Sequence, residues 1–167
     1  MVPYKVDELE VISTGLITSD EDTALMWRGL MLSKALEQFL TDVEWGELDY
    51  LFVDLPPGTG DVHLSLIQSI PLDGVVIVST PQEVALADAR RGVNMFKMDN
   101  VNVPIIGLVE NMSWFTPEEL PDNKYYIFGR DGAKNLSEGL NISFFFFSST
   151  TSYGIVSVSY THLTLPT

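Results

Sequence analysis

Three short apolar runs, separated by stretches with helical periodicity, constrain the fold of this chain more than any other feature. The runs lie at residues 51–53, 75–78 and 103–109. Continuous apolar runs of this length are typical of strands that are buried on both faces of a sheet. Their alternation with helical stretches predicts parallel strands joined by helical crossovers. We therefore predict an α/β fold in which a parallel sheet is flanked by helices.

Two of the predicted helices carry apolar residues on one face. In the first helix the residues of that face are Leu32, Leu36, Phe39, Leu40 and Val43. Asp61 stands where it can cap a second helix, and Pro71 closes that helix. A third helix is predicted to begin after residue 80. In sheets of this kind ligands bind at the edge where the parallel strands end.

Composition narrows the range of partners. The formal net charge is −14, which argues against binding to nucleic acid or to an anionic membrane, because both attract Lys and Arg. No apolar run is long enough to cross a bilayer, and the first residues lack the pattern of a signal peptide. The chain has no cysteine and therefore no thiolate ligand. We expect a cytoplasmic protein that binds neither nucleic acid nor membrane.

The last part of the chain differs in composition from the rest. No charged side chain occurs between residues 140 and 167, and four consecutive phenylalanines at 144–147 lead into a Ser/Thr-rich stretch. The closing residues, from Val158 to Thr167, resemble translated sequencing-adapter sequence. We predict that residues 145–167 form a non-native, disordered tail. A genuine Ser/Thr-rich C-terminus is the alternative.

The residues that follow the first apolar run carry the chemistry. They read Asp-Leu-Pro-Pro-Gly-Thr-Gly-Asp, from Asp54 to Asp61. Two prolines fix φ at successive positions, and Gly58 and Gly60 leave bare backbone N–H groups that suit an anionic group. Asp54, at the end of its predicted strand, can hold Mg²⁺ through a water molecule. By itself Asp54 could also be a turn residue that ends the strand.

This segment resembles the Walker B and switch II segment of the deviant P-loop ATPases, the group that includes MinD, ParA, the nitrogenase iron protein and the Mrp/ApbC proteins. The longer resemblance is to the Mrp/ApbC iron–sulfur cluster carriers and runs from about Tyr4 to Phe144. The matching segments are Trp27-Arg28-Gly29, Thr80-Pro81-Gln82, Ala85-Leu86-Ala87-Asp88, Val109-Glu110-Asn111-Met112 and residues 124–129. The resemblance implies a partial P-loop NTPase-type sheet in residues 1–144.

The resemblance also implies roles for single residues in the binding of ATP. Asp54 positions Mg²⁺ through a water molecule, and the Gly58 N–H contacts the γ-phosphate, so these two residues are the implied catalytic pair. Pro57 and Thr59 belong to the same nucleotide-binding turn. The turn then distinguishes ATP from ADP.

Three further residues have roles implied by the resemblance. Asn111 faces the adenine, since an amide can donate to and accept from a base edge at once. Gly60 and Asp61 couple the turn to the following helix. The alternatives are that Asn111 is only a turn former at the end of a strand and that Asp61 is only a helix cap.

The family's phosphate-binding loop and its cluster-binding cysteines are missing from this sequence. No Gly-Lys-Gly-Gly and no Gly-Lys-Ser/Thr occurs, although a P-loop ATPase needs such a loop to cradle the phosphates. In the family this loop lies upstream, on a central strand. We therefore interpret the chain as part of a longer homodimeric ATPase and expect it to be inactive by itself. The family's Cys-x-x-Cys after Met112 is also absent, so we predict no iron–sulfur ligands in this chain.

Other functions remain open. The main interpretation gives the parent protein iron–sulfur client or scaffold proteins as partners, with ATP and Mg²⁺ as cofactors. A MinD/ParA-like positioning ATPase is one alternative, and the acidic composition counts against it. A non-catalytic interaction module that uses the aromatic loop 113–128 is the other. The aromatic side chains of that loop could form core or a partner surface.

Overall fold

The computed structural model describes residues 1–13, 29–55, 61–147, 149–151 and 161–166. The chain divides into two compact units. The first, called here the helical unit, lies within residues 1–49 and 60–71, and the second, the sheet unit, lies within residues 50–59 and 72–166. Across the described residues, no helix has the length and apolar composition needed to cross a membrane.

The helical unit contains a hairpin and two helices. Strands β1 (Tyr4–Val6) and β2 (Leu9–Val11) pair in antiparallel fashion. Helices α1 (Gly29–Thr41) and α2 (Asp61–Ser69) pack against each other. The Oγ atoms of Ser33 and Ser65 lie 3.2 Å apart between the two helices. The Leu66 side chain is fully buried, so α2 contributes a core residue.

The two faces of the hairpin are unlike. Its strand register puts four apolar residues on one face, and all four are exposed: Tyr4, Val6, Leu9 and Val11. The other face carries a salt bridge of 2.6 Å between Lys5 and Glu10. The Gly46 N–H, in the loop after α1, also donates to Glu10 over 3.4 Å. The Glu10 carboxylate therefore ties the hairpin to the rest of the helical unit.

The sheet unit contains the remaining elements. In chain order they are β3 (Tyr50–Leu55), β4 (Gly74–Ser79), α3 (Glu83–Phe96), β5 (Ile105–Glu110), β6 (Phe115–Thr116), α4 (Gly132–Leu140), β7 (Phe144–Phe147), β8 (Thr150–Thr151) and β9 (Thr161–Pro166). Five strands form one sheet in the order β3-β9-β4-β5-β7. Strands β4, β5 and β7 are parallel, which confirms the predicted α/β class with a parallel sheet.

One face of this sheet is covered by α3 and α4. Helix α3 contacts β4, α4 contacts β5, and the two helices contact each other. Side chains that are 2% exposed or less fill the space between these elements: Val75, Ile77, Val93, Phe96, Leu108 and Ala133. Burial of a side chain as large as Phe96 contributes about 2–3 kcal/mol to stability. This core fixes the places where β4 and β5 end.

Strand β3 differs from its prediction. It was expected to be buried on both faces, but its residues alternate, and Tyr50, Phe52 and Asp54 are exposed. The prediction was wrong here because β3 is an edge strand, away from β4, β5 and β7, on which α3 and α4 pack. Strand β4 is buried along almost its whole length, as predicted. An apolar run therefore did not distinguish an edge strand from a central one.

Strand β9 makes the sheet mixed instead of purely parallel. It lies between β3 and β4 and is antiparallel to both. Because both neighbours oppose β9, β3 and β4 run in the same direction. Strand β9 belongs to the segment 145–167 for which we predicted disorder, and that boundary remains a prediction. The resemblance implied that a central strand lies outside this chain, and β9 takes a central position here.

Candidate functional site

The site is built where β3, β4 and β5 end. The three strands are parallel to one another, so their carboxyl ends meet at one edge of the sheet. At that edge Ser79 and Glu110 are paired across β4 and β5. Loops that leave such an edge are the usual place for ligand-binding residues in α/β proteins. The predicted site residues Asp54 and Asn111 both lie at this edge.

Asp54 is an exposed residue, next to last in β3. It is aligned with His162 of β9, which is aligned in turn with Val76 of β4. Residues aligned across strands share a face, so Asp54 lies on the face opposite to Ile77 and to helices α3 and α4. Among the described residues no three acidic or histidine side chains gather as a metal site. A single exposed carboxylate suits Mg²⁺, which keeps most of its water and needs only one or two protein oxygens.

Asn111 begins a tight turn that is tied to β4. Its backbone N–H donates to the Ser79 carbonyl oxygen over 2.8 Å. The next residue, Met112, has a left-handed backbone with φ of 52°. The Ser113 hydroxyl then donates back to the Glu110 carbonyl oxygen over 3.0 Å. Asn111 is half-buried and lies at the strand edge on a backbone that is held from both sides.

Glu110 ends β5 and is completely buried. Its Oε2 accepts a hydrogen bond of 2.7 Å from the Ala133 N–H in the first turn of α4. The residue before this helix, Asp131, forms no capping hydrogen bond with its own side chain. Glu110 therefore does what an N-cap carboxylate normally does, and it also meets the positive end of the helix dipole.

The start of α4 lies unusually close to the loop that follows β4. A Cβ atom added to Gly132 would lie 2.6 Å from the Pro81 carbonyl oxygen and 2.8 Å from Leu86 Cδ1. Real Cβ atoms do not approach backbone this closely, so position 132 requires glycine. Gly129, nearby, has φ of 108° and also faces the Pro81 carbonyl. The ends of β4 and β5 and the start of α4 thus form one compact cluster.

Most of the other predicted site residues lie outside the part of the chain that the structure describes. They are Pro57, Gly58, Thr59 and Gly60, together with Trp27 and Arg28 of the matching segments. Asp61 is the first residue of α2, in the helical unit. The sequence analysis places Glu110 in a segment that matches the family but assigns it no role. The sequence signal that could have singled it out is an acidic residue at the end of an otherwise apolar strand.

The aromatic loop 113–128 is only partly buried. Phe115 and Tyr125 exchange two backbone hydrogen bonds of 2.8 and 2.9 Å. The Lys124 ammonium lies 3.8 Å from the centre of the Trp114 ring, which is a cation–π contact. Tyr125 and Tyr126 are exposed, at 43% and 40%. The loop is therefore held by its own backbone pairs and ring contacts, and these two tyrosines are not core residues.

Comparison with known proteins gives the site its context. The family described as ParA, NUBPL iron-transfer P-loop NTPase matches residues 1–149. An iron–sulfur cluster carrier protein from Deinococcus radiodurans is 57% identical over 83% of this chain and 38% of its own length. A protein of the same description from Synechocystis is 52% identical over 80% of this chain and 37% of its own length.

Two further comparisons agree. The iron–sulfur cluster transfer protein NUBPL of Mus musculus is 54% identical over 74% of this chain and 38% of its own length. A nucleotide-binding protein from Archaeoglobus fulgidus, solved in complex with ADP, has a TM-score of 0.69 and 33% identity, over 90% of this chain and 57% of that one. The chain thus spans well under half the length of the three curated carrier and transfer proteins. It belongs to the family of NUBPL-type iron-transfer P-loop NTPases.

Proposed function

We propose that this chain is part of an ATP-binding iron–sulfur cluster carrier, and that the longer protein hydrolyses ATP. The observation that carries the proposal is the shared edge of β3, β4 and β5, where Asp54 and Asn111 both lie. A nucleotide that spans this edge can reach both residues, one with its phosphates and the other with its base. Family membership supports the same assignment.

The proposed roles follow the resemblance. Asn111 donates to and accepts from the edge of the adenine. Pro57, Gly58 and Thr59 form the turn that faces the phosphates, and the Gly58 N–H contacts the γ-phosphate. Gly60 and Asp61 transmit the state of that turn to α2.

The exposed Asp54 carboxylate fits a hydrated magnesium ion. Asp54 would hold the ion by accepting hydrogen bonds from its water ligands. When bound, Mg²⁺ offsets negative charge on the β- and γ-phosphates during transfer. The phosphate-binding loop is not among these 167 residues, so we propose hydrolysis for the longer protein only.

The cluster is proposed as cargo. Thiolates are the usual ligands of iron–sulfur clusters, and this chain has none. Ligands for a cluster would therefore come from another part of the longer protein or from a client or scaffold protein. We further propose that the longer protein works in the cytoplasm as a homodimer.

The first test uses the gene that encodes this chain. Its upstream sequence is translated in frame, the full-length protein is produced, and ATP binding is measured by titration calorimetry. We expect a Gly-Lys-Gly-Gly-x-Gly-Lys-Ser/Thr loop upstream and ATP binding that Asn111→Ala weakens by about tenfold, which corresponds to the loss of about one good hydrogen bond. Asn100→Ala is the matched control, because Asn100 is exposed at the opposite edge of the sheet.

Two results would contradict the proposal. A stop codon directly upstream of residue 1, with no such loop, would favour a non-catalytic interaction module. ATP binding that responds equally to Asn111→Ala and Asn100→Ala would remove Asn111 from the nucleotide site.

A further inference from the structure

The aromatic loop exposes an apolar surface. Every residue from 118 to 127 is exposed. Four large apolar side chains in this segment have exposed fractions between 40% and 64%, and they are called here the loop surface: Leu120, Tyr125, Tyr126 and Ile127. Exposed apolar side chains that are grouped together and surrounded by polar residues are typical of protein interaction sites, where tyrosine is enriched.

Hydrogen bonds within the loop hold the backbone that carries the loop surface. The two bonds between Phe115 and Tyr125 close the loop at its base. Inside it, the Leu120 N–H donates to the Pro117 carbonyl oxygen over 3.2 Å, and the Asn123 N–H donates to the Leu120 carbonyl oxygen over 3.0 Å. A surface on an ordered backbone loses less conformational entropy when a partner binds.

The charged side chains beside the loop surface are mainly acidic. Three of them are exposed carboxylates that form no salt bridge with any residue described in the structure: Glu118, Glu119 and Asp122. The two cations of this region lie over aromatic rings, Lys124 over Trp114 and Arg130 over Tyr126. Arg130 also faces Asp131 over 3.5 Å. Four carboxylates against two cations leave the region with a negative charge.

We propose that the loop surface docks a basic, partly apolar segment of another protein. The Lys and Arg side chains of that segment pair with the carboxylates, and its apolar side chains cover the exposed tyrosines and Ile127. A second copy of this chain is a poorer occupant, because it brings the same carboxylates and the chain has a net charge of −14. The proposal concerns a partner protein and does not rest on the nucleotide binding proposed above.

The test uses three labelled peptides as probes of the full-length protein. One is an amphipathic peptide of Leu and Lys, the second has Glu in place of Lys, and the third has Ser in place of Leu. Their dissociation constants are measured by fluorescence anisotropy, without nucleotide. We expect the Leu/Lys peptide to bind at least about tenfold more tightly than the other two, because it alone complements both the charge and the apolar side chains of the loop.

Two variants remove the two parts of the surface in turn. Tyr125→Ser combined with Ile127→Ser removes apolar side chains, and Glu118→Gln combined with Glu119→Gln and Asp122→Asn removes the charge. Each should weaken binding of the Leu/Lys peptide by about tenfold, the first through lost apolar contacts and the second through three lost ion pairs. If the first variant does not fold, Ile127→Ser alone replaces it and should weaken binding by about threefold.

The matched control removes the same number of charges from the helical unit. It combines Glu44→Gln, Glu47→Gln and Asp49→Asn, which all change exposed residues. Its affinity for the Leu/Lys peptide should stay within about twofold of the unmodified protein, because salt screens exposed charges that are not in contact with the peptide.

Three results would overturn the proposal. If the control variant weakens binding as much as the charge variant of the loop, the peptide responds to the overall charge of the protein. If the variant with serine at positions 125 and 127 binds as tightly as the unmodified protein, the peptide does not contact the loop surface. If sedimentation shows a dimer that Ile127→Ser converts to a monomer, a second copy occupies the surface. None of these results bears on ATP binding, so the proposed function is judged separately.

Discussion

Asp54 and Glu110 are both carboxylates at the ends of strands in one sheet, yet their surroundings are opposite. Asp54 is exposed, near the end of the outermost strand, on the face away from α3 and α4. Glu110 is fully buried on the helix-covered face and is bound to the start of α4. The position at a strand end therefore does not decide what a carboxylate does. Its neighbours on the sheet and the element that covers it decide this.

The difference in burial separates two roles that a carboxylate at a strand end can have. An exposed carboxylate is in contact with solvent and can accept hydrogen bonds from the water ligands of a hydrated ion. A buried one depends on the protein for its hydrogen bonds. Glu110 Oε2 accepts from a backbone N–H at the positive end of the helix dipole, whereas its Oε1 is buried with no hydrogen-bond partner among the described residues. We therefore expect changes at Asp54 to affect chemistry and changes at Glu110 to affect structure.

The largest expected effect is on the ATP hydrolysis that we propose for the longer protein. Asp54→Asn should lower kcat by about 100-fold, which is about 2.7 kcal/mol of barrier, because the amide holds the hydrated ion less well than the carboxylate. Its free energy of unfolding should change less than that of Glu110→Ala, since Asp54 is exposed and Glu110 is buried. Asp73→Asn is the matched control, as Asp73 is exposed at the other edge of the sheet. If Asp54→Asn left kcat unchanged, Asp54 would have no role in hydrolysis, and the proposed division between a chemical role for Asp54 and a structural role for Glu110 would be wrong.

The second prediction concerns the stability of the same protein. Glu110→Ala should lower the free energy of unfolding by about 2 kcal/mol, because a buried N–H loses its acceptor and the helix loses its cap. Urea denaturation measures this effect. A loss as small as that expected for Asp54→Asn would mean that water replaces the carboxylate at Ala133.

The third prediction tests the cluster that surrounds Glu110. Gly132→Ala should cost about 1–2 kcal/mol, since its Cβ would collide with the Pro81 backbone. Gly139→Ala, in the same helix, should instead stabilise by about 0.5–1 kcal/mol, because nothing lies within 4 Å of its Cβ and alanine favours the helix. Thermal unfolding of the two variants measures the difference. Equal effects would show that α4 can shift away from Pro81.

The smallest effect concerns a third carboxylate, Glu10, in the helical unit. Its hydrogen bond with Lys5 lowers the pKa of Glu10 below the usual value of 4.5, and the Gly46 N–H acts in the same direction. A carboxyl whose pKa is lowered by folding stabilises the protein above its unfolded pKa, and this contribution is lost as the pH falls through the lowered value.

Glu10→Gln should therefore reduce stability slightly near neutral pH and have almost no effect at an acidic pH below the lowered pKa, where the glutamate is protonated as well. Urea denaturation at the two pH values measures the change. If the stability lost in Glu10→Gln grew as the pH fell, folding would raise the pKa of Glu10 and not lower it. That result would contradict the direction assigned here.

Sequence patterns predicted the parts of the fold that depend on nearby residues. Strands β4 and β5, helix α3 and the position of Asn111 at a strand end follow from local periodicity. The exposure of Phe52 could not be predicted in this way, because it depends on where β3 lies in the sheet and on what packs against its faces. The hydrogen bond between Glu110 and Ala133 was not predicted either, since it joins residues 23 positions apart and exists only when α4 lies against β5.

The remote cap of α4 has a consequence for the order of folding. The helix has nine residues, two of them glycine, and an isolated helix shorter than about 12 residues is marginal in water. Since its cap comes from the end of β5, its first turn is stabilised only after that strand has joined β4. We expect the start of α4 to form after the rate-limiting step, so that Glu110→Ala speeds unfolding and leaves the folding rate almost unchanged.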